Sequence, residues 1–146
     1  TDKLKINMPL GRNRLVKCGK FLVLDETYNA SPESVIASLE LLVGKPGRHF
    51  AVLGTMLELG EESIALHQKV LQRAIELGLS GIVFVSCGRE FNIIKQIIKE
   101  LPNHDVVRTS KDAAMSLLSW LSPGDSVLIK GSRKLELEKI LPYLQK

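Results

Sequence analysis

The sequence predicts an α/β domain with a Rossmann-like, mostly parallel sheet of about six strands, one of them antiparallel, and helices on both faces. Three observations predict it. Short apolar runs alternate with amphipathic stretches, the order that generates βα units. Several of the runs are almost unbroken Val, Ile, Leu and Phe, as strands covered on both faces require. A chain of 146 residues with 45% apolar and 25% charged side chains can bury one core without disulfides or metals.

The elements follow in order. Residues 14–17 and 21–24 flank the single Gly19, a spacing that predicts a hairpin and hence the antiparallel strand. Four further strands are expected at 50–53, 82–85, 106–108 and 127–129. Ser31 can cap a first helix, with Pro32 in its first turn and Glu33 near the positive end of its dipole. Val35, Leu39, Leu42 and Val43 then repeat at helical spacing. A second helix runs from about residue 61 to 77, with Ile64, Val70, Leu71, Ala74 and Ile75 on its buried face and Gly78 as its cap. A third carries Phe91, Ile94 and Ile98. A fourth starts near Ser110 and buries Ala114, Leu117, Leu118 and Leu121. The last holds Leu137, Ile140, Leu141 and Leu144. One domain spans residues 1–146, and the polar segment 1–11 reads as the remnant of an interdomain linker.

Composition narrows function. The charge is +4, from 20 basic and 16 acidic residues, without a basic block, and aromatics are 5%. No nucleic-acid partner is therefore expected. No apolar run approaches the ~20 residues of a membrane span, so no membrane partner is expected. The N-terminus has no apolar signal core. Cys18 and Cys87 lie far apart with no metal spacing, consistent with free thiols in a cytoplasmic protein.

In an open parallel sheet, ligands bind beyond the carboxyl ends of the strands. Five polar segments should gather there: 25–34, 54–63, 86–90, 109–112 and 130–133. Asp25 and Glu26 are adjacent, so in a strand they point to opposite sides. One of them could accept hydrogen bonds from a ribose, or simply solvate a turn. Tyr28 and Asn29 could present a ring and an amide to a ligand, or form an Asx-turn into the cap. Glu58 could bind an amine or be a solvated loop charge. His67 faces the middle of an apolar stripe, as a partnered core histidine or as a ligand. Lys130, Ser132 and Arg133 in KGSR suit a carboxylate or phosphate, although short basic turns are common. The phosphate-loop pattern GxxxxGK[ST] is missing, as are GxGxxG after a strand, HExxH and GxSxG.

Three stretches, DETYNASPES, AVLGTMLELGEESIALH and GDSVLIKGSRKLELEKI, together with the opening MPLGRNR, resemble the C-terminal domain of the Mur ligases. The resemblance covers nearly the whole chain. It implies the third domain of a three-domain enzyme, cytoplasmic and expected to be monomeric, that joins D-alanyl-D-alanine to UDP-N-acetylmuramoyl-tripeptide in peptidoglycan precursor synthesis. ATP would phosphorylate the peptide carboxylate, and the dipeptide amine would displace phosphate from the acyl phosphate. ATP and Mg would be held mainly by an absent central domain, and an N-terminal domain would hold the UDP-sugar. By resemblance, Glu26 stands at the ATP ribose, where the family often has aspartate. Tyr28, Asn29 and Ser31 match a YNANP stretch on the nucleotide side, with Ser31 replacing the second asparagine. Thr55 stands where many members have aspartate and is given no role. Glu58 and His67 match LELG…H on the dipeptide side, and Lys130, Ser132 and Arg133 match KGSR near the dipeptide carboxylate. No catalytic residue and no metal ligand is implied within this domain alone. Two other readings stand beside it. One is a stand-alone module of flavodoxin-like fold that binds a nucleotide or small anion. The other is a metal-dependent hydrolase using Asp25, Glu26 and a third ligand.

Overall fold

The structure, a computed structural model, describes residues 14–27, 30–56, 60–86, 88 and 90–146. The expected segment 1–11 lies outside the described residues. A six-stranded sheet of order β1-β2-β6-β3-β4-β5 forms the centre. Its strands are β1 Arg14–Cys18, β2 Phe21–Glu26, β3 His49–Gly54, β4 Gly81–Val85, β5 Asn103–Val107 and β6 Ser126–Lys130. β1 is antiparallel to β2, and all other pairings are parallel. The hairpin turns at Gly19, whose φ is +57° and whose backbone lies against the Leu144 carbonyl, so a side chain there would be strained and would collide.

Helices cover both faces, as the sequence predicts. α1 Pro32–Leu42, α2 Ser63–Glu76 and α3 Phe91–Ile97 pack one face, where Leu39, Leu71 and Ile94 meet Leu24, Leu53, Phe84 and Leu128. α4 Ser110–Trp120 and α5 Leu141–Leu144 pack the other, where Leu117, Leu137 and Leu144 meet Val23, Val52 and Ile129. Each side of β6 is therefore fully covered, which matches its unbroken apolar sequence. Among the described residues, no helix is long and apolar enough to cross a membrane.

Three local expectations need correction. Ile64 was expected on the buried face of α2 but is 38% exposed, because the chain enters that helix through a short 3₁₀ turn, Gly60–Glu62, and Ile64 falls in the first turn. The fifth strand starts earlier than residues 106–108: Asn103, His104 and Asp105 pair with β4 along a sheet edge, where polar side chains are tolerated. The last helix is mostly 3₁₀, in turns Arg133–Leu135 and Leu137–Ile140. Apolar residues three apart suit that tighter winding as well as an α-helix.

Candidate functional site

Parallel pairing brings the carboxyl ends of the strands to one rim. Lys130, the last residue of β6, is in register with Glu26 of β2 on one side and Leu53 of β3 on the other. Gly54 is in register with Val85 of β4. α1, α2 and α3 lead the chain outward along one face, and α4 returns it on the other, so β6 enters between β2 and β3. In open α/β sheets such a reversal is where ligands ordinarily bind. The segments beginning at Asp25, Gly54 and Lys130 thus leave three neighbouring strands side by side.

The first residues of the rim are charged and buried. Lys130 Nζ donates to Glu26 Oε1 at 2.6 Å, and the side chains are 5% and 8% exposed. Strand alternation places both on the face of α1–α3, above Leu24 and Leu128. Glu26 on the nucleotide side and Lys130 on the dipeptide side, kept separate by the resemblance, therefore touch each other. Asp25 takes a different cation. Its Oδ2 accepts from Arg14 Nε at 3.1 Å and Nη2 at 2.7 Å, and its Oδ1 accepts from the Thr27 N–H at 3.3 Å. The two adjacent carboxylates are thus engaged by separate neighbours. Among the described residues, no group of three His, Cys, Asp or Glu side chains could hold a metal.

Beyond Lys130 the chain turns tightly. Gly131 lies against Gly54, and any side chain on either would run into Leu137 or Leu135. The missing side chains let the KGSR turn close onto the end of β3. Ser132 then opens the 3₁₀ turn that carries Arg133, which is exposed. The Ser132 hydroxyl oxygen is buried with no hydrogen-bond partner, the single such side-chain atom among the described residues. Buried hydroxyls are ordinarily bonded, so an orphan on a ligand rim marks a place where an incoming acceptor would be rewarded.

His67 is 1% exposed. Its Nε2 accepts from the Met56 N–H at 2.9 Å, and its Nδ1–H donates to the Ser63 carbonyl at 2.7 Å, one turn earlier on α2. The ring meets Phe84 edge-on at 5.7 Å. Both nitrogens are spent on backbone, so His67 fixes the corner at Thr55 and Met56 where the chain leaves β3. The Ser63 hydroxyl continues the chain of bonds to Glu90 Oε1 at 3.2 Å. Ser63 and Glu90 carried no role in the sequence reading. The four-residue spacing of Ser63 and His67 on one helix is the signal that could have found the first of them. Thr55, given no role, donates from both its N–H and its hydroxyl to the Val85 carbonyl.

Ser31 serves α1 as predicted: its hydroxyl accepts from the Ser34 N–H at 3.3 Å, and Ser34 answers in a capping box. Tyr28, Asn29 and Glu58 lie outside the described residues, as does Cys87, while Cys18 is buried and its Sγ lies 3.8 Å from Gln145 Nε2.

The fold and rim define a doubly wound α/β domain whose strand ends gather a buried Glu26–Lys130 pair, the Ser132 hydroxyl, Arg133 and a close glycine turn, without a phosphate-loop motif in the sequence. A family model described as Mur ligase, glutamate ligase domain, matches residues 11–133, and the chain belongs to that family. It is 34% identical to the UDP-N-acetylmuramoyl-tripeptide–D-alanyl-D-alanine ligase of Synechocystis over 97% of this chain and 31% of that protein. The ligase of the same name from Escherichia coli is 32% identical over 85% of this chain and 27% of its own length. The MurF ligase of Thermotoga maritima, solved with ADP, superposes with a TM-score of 0.76 at 31% identity, over 94% of this chain and 31% of that one. The chain therefore spans under a third of the length of these relatives. A single-domain crystal structure from Haemophilus ducreyi, 15% identical and with a TM-score of 0.61, has the same fold over 91% of this chain and 99% of its own.

Proposed function

We propose that this chain is the C-terminal domain of a cytoplasmic ligase that uses ATP to join D-alanyl-D-alanine to UDP-N-acetylmuramoyl-tripeptide. The observation that carries the reading is the match, over nearly all of this chain, to about 30% of ligases bearing that name, by a rim that has anion-binding groups but no phosphate loop. Absent N-terminal and central domains of the same polypeptide hold the UDP-sugar and the ATP phosphates. Mg belongs with those phosphates, since that ion is ordinarily held by one or two carboxylates together with the phosphates of its nucleotide.

Within that reaction this domain positions groups and neutralises charge. Arg133 and the Ser132 hydroxyl bind the carboxylate of the dipeptide, leaving its amine free to attack the acyl phosphate. Nitrogen bonds to the carbonyl carbon, the tetrahedral intermediate expels phosphate, and the amide remains. The Glu26–Lys130 pair holds β2 and β6 in register beneath the site. Glu26 reaches the ribose only while sharing its carboxylate with Lys130. His67 holds the Thr55–Met56 corner and shapes the cleft through backbone rather than by touching substrate.

In the longer polypeptide, Arg133→Ala raises the KM for D-alanyl-D-alanine by about tenfold or more and leaves the KM for ATP nearly unchanged. Equal rises in both remove Arg133 from the dipeptide site. The 146-residue chain alone turns over no ATP, and hydrolysis by a preparation free of contaminating ATPases contradicts the reading.

A further inference from the structure

A concave site lies beyond the ends of β5 and β6, on the side of the sheet covered by α4. It is a recess of about 420 Å³, lined by Arg108 and Thr109 after β5, Ser110 and Lys111 of α4, and Lys134, Leu135, Glu136, Lys139 and Tyr143 after β6. This is within the range of small-molecule sites, roughly 300–1,000 Å³. Two segments far apart in sequence, 108–111 and 134–139, bring four cations to its wall. The one carboxylate in the lining, Glu136, is bound to Lys139 at 3.0 Å. Among the described residues, no carboxylate lies within ion-pair distance of Arg108, Lys111 or Lys134.

Folding does not reward this gathering. Arg108 and Lys111 flank the start of α4, where the backbone is already positive, and cations there are unfavourable. Asp112 offsets them only partly, from outside the lining. The wall is nevertheless held firmly. The Ser110 hydroxyl, on a residue 8% exposed, lies 3.0 Å from the Leu135 carbonyl and 2.9 Å from that of Glu136. Arg108 is laid over the Phe91 ring at 4.3 Å. A local rule broken on a rigid, concave surface points to a ligand that supplies the missing charge.

We infer that this recess binds a phosphate-bearing small molecule, its phosphoryl oxygens held between Lys111, Lys134 and Arg108. A single carboxylate is satisfied by one guanidinium, whereas a phosphoryl group has three oxygens and a second charge to share among several donors. The inference does not rest on the ligase reading.

The test uses the isotope-labelled 146-residue chain, whose two apolar clusters are closed by its own elements. Inorganic phosphate and then ADP are titrated against sodium chloride at equal ionic strength, following backbone amide resonances. Phosphate shifts Thr109, Ser110, Lys111 and Leu135 saturably where chloride does not, and the K111A/K134A double variant weakens that binding by about tenfold or more. Tighter binding of ADP at the same amides assigns a nucleotide diphosphate as the source. No gain from ADP assigns free phosphate. Shifts that follow ionic strength alone, or saturation that survives K111A/K134A, overturn the inference. Both lysines are exposed, so the variant keeps the fold, and unchanged resonances elsewhere verify this. Ligase turnover is not read, so failure here leaves the proposed function standing.

Discussion

The two ends of the sheet each contain a buried carboxylate facing a cation, and they use it differently. At the amino end, Asp125 accepts from the Ser122 N–H at 2.8 Å, the Arg48 N–H at 3.1 Å and the Arg48 guanidinium at 2.9 Å. Burial alone would push its carboxyl up, but those donors outweigh burial and hold it below the ordinary carboxylate range. Arg48 also donates to the Trp120 carbonyl, so one network ties the starts of β3 and β6 to the end of α4. At the carboxyl end, Glu26 has one lysine, and the next turn leaves the Ser132 hydroxyl unanswered. The amino end is complete in itself; the carboxyl end is left with capacity for something else. The contrast sets a closed ion network at one end of the sheet against an end with an unpartnered buried hydroxyl.

Variants can break or sharpen this contrast. The largest effect is expected for Lys130→Ala, which strands Glu26 as a buried, uncompensated charge and costs about 3–5 kcal/mol in urea unfolding. Replacing both partners with Met should recover much of the loss, since a buried pair is weak evidence of net stabilisation. Asp125→Ala comes next, at about 1–3 kcal/mol, because it leaves the backbone N–H groups of Arg48 and Ser122 without acceptors. Its sign with pH is fixed. The folded-state pKa lies below the unfolded one, so Asp125 contributes its full stabilisation above the ordinary carboxylate range. The difference between wild type and Asp125→Ala then shrinks as acid carries the pH down through the depressed value. Thermal melts from neutral to acid pH would show it, and a difference that grows on acidification would refute it. His67→Leu should cost about 1–2 kcal/mol by orphaning the Met56 N–H. His67→Gln, which keeps an acceptor, should regain part of this. Arg133→Ala is the smallest, within about 0.5 kcal/mol of wild type by the same melts, although in the longer polypeptide it should affect dipeptide use most.

The elements that sequence described well are those whose signals are local. Ser31 with Pro32 announced a cap, the apolar run at Val127 announced a buried strand, and Gly19 announced the hairpin. The polar edge strand Asn103–Val107 was displaced because its first residues carry no apolar signal and its pairing with β4 is tertiary. The 3₁₀ windings near the end were missed because Leu137 and Ile140 fit two helical periods equally. At the rim, Glu26, His67 and Lys130 were legible as polar residues in unusual places, and the resemblance supplied roles for them. Their partners were not legible. Lys130 meets Glu26 only because β6 inserts next to β2, a pairing of residues 104 apart in sequence, and the two shortest bonds of His67 go to backbone groups that no motif displays.

The strand order also has a consequence for synthesis. β6 is the last of the six strands to leave the ribosome, yet it sits in the middle of the sheet. Without Ser126–Lys130, β2 and β3 would each lack the neighbour that satisfies one of their hydrogen-bonding edges. The sheet is therefore continuous only when Ser126–Lys130 has paired on both sides, and a chain cut before Ser126 would lack the strand that joins β2 to β3.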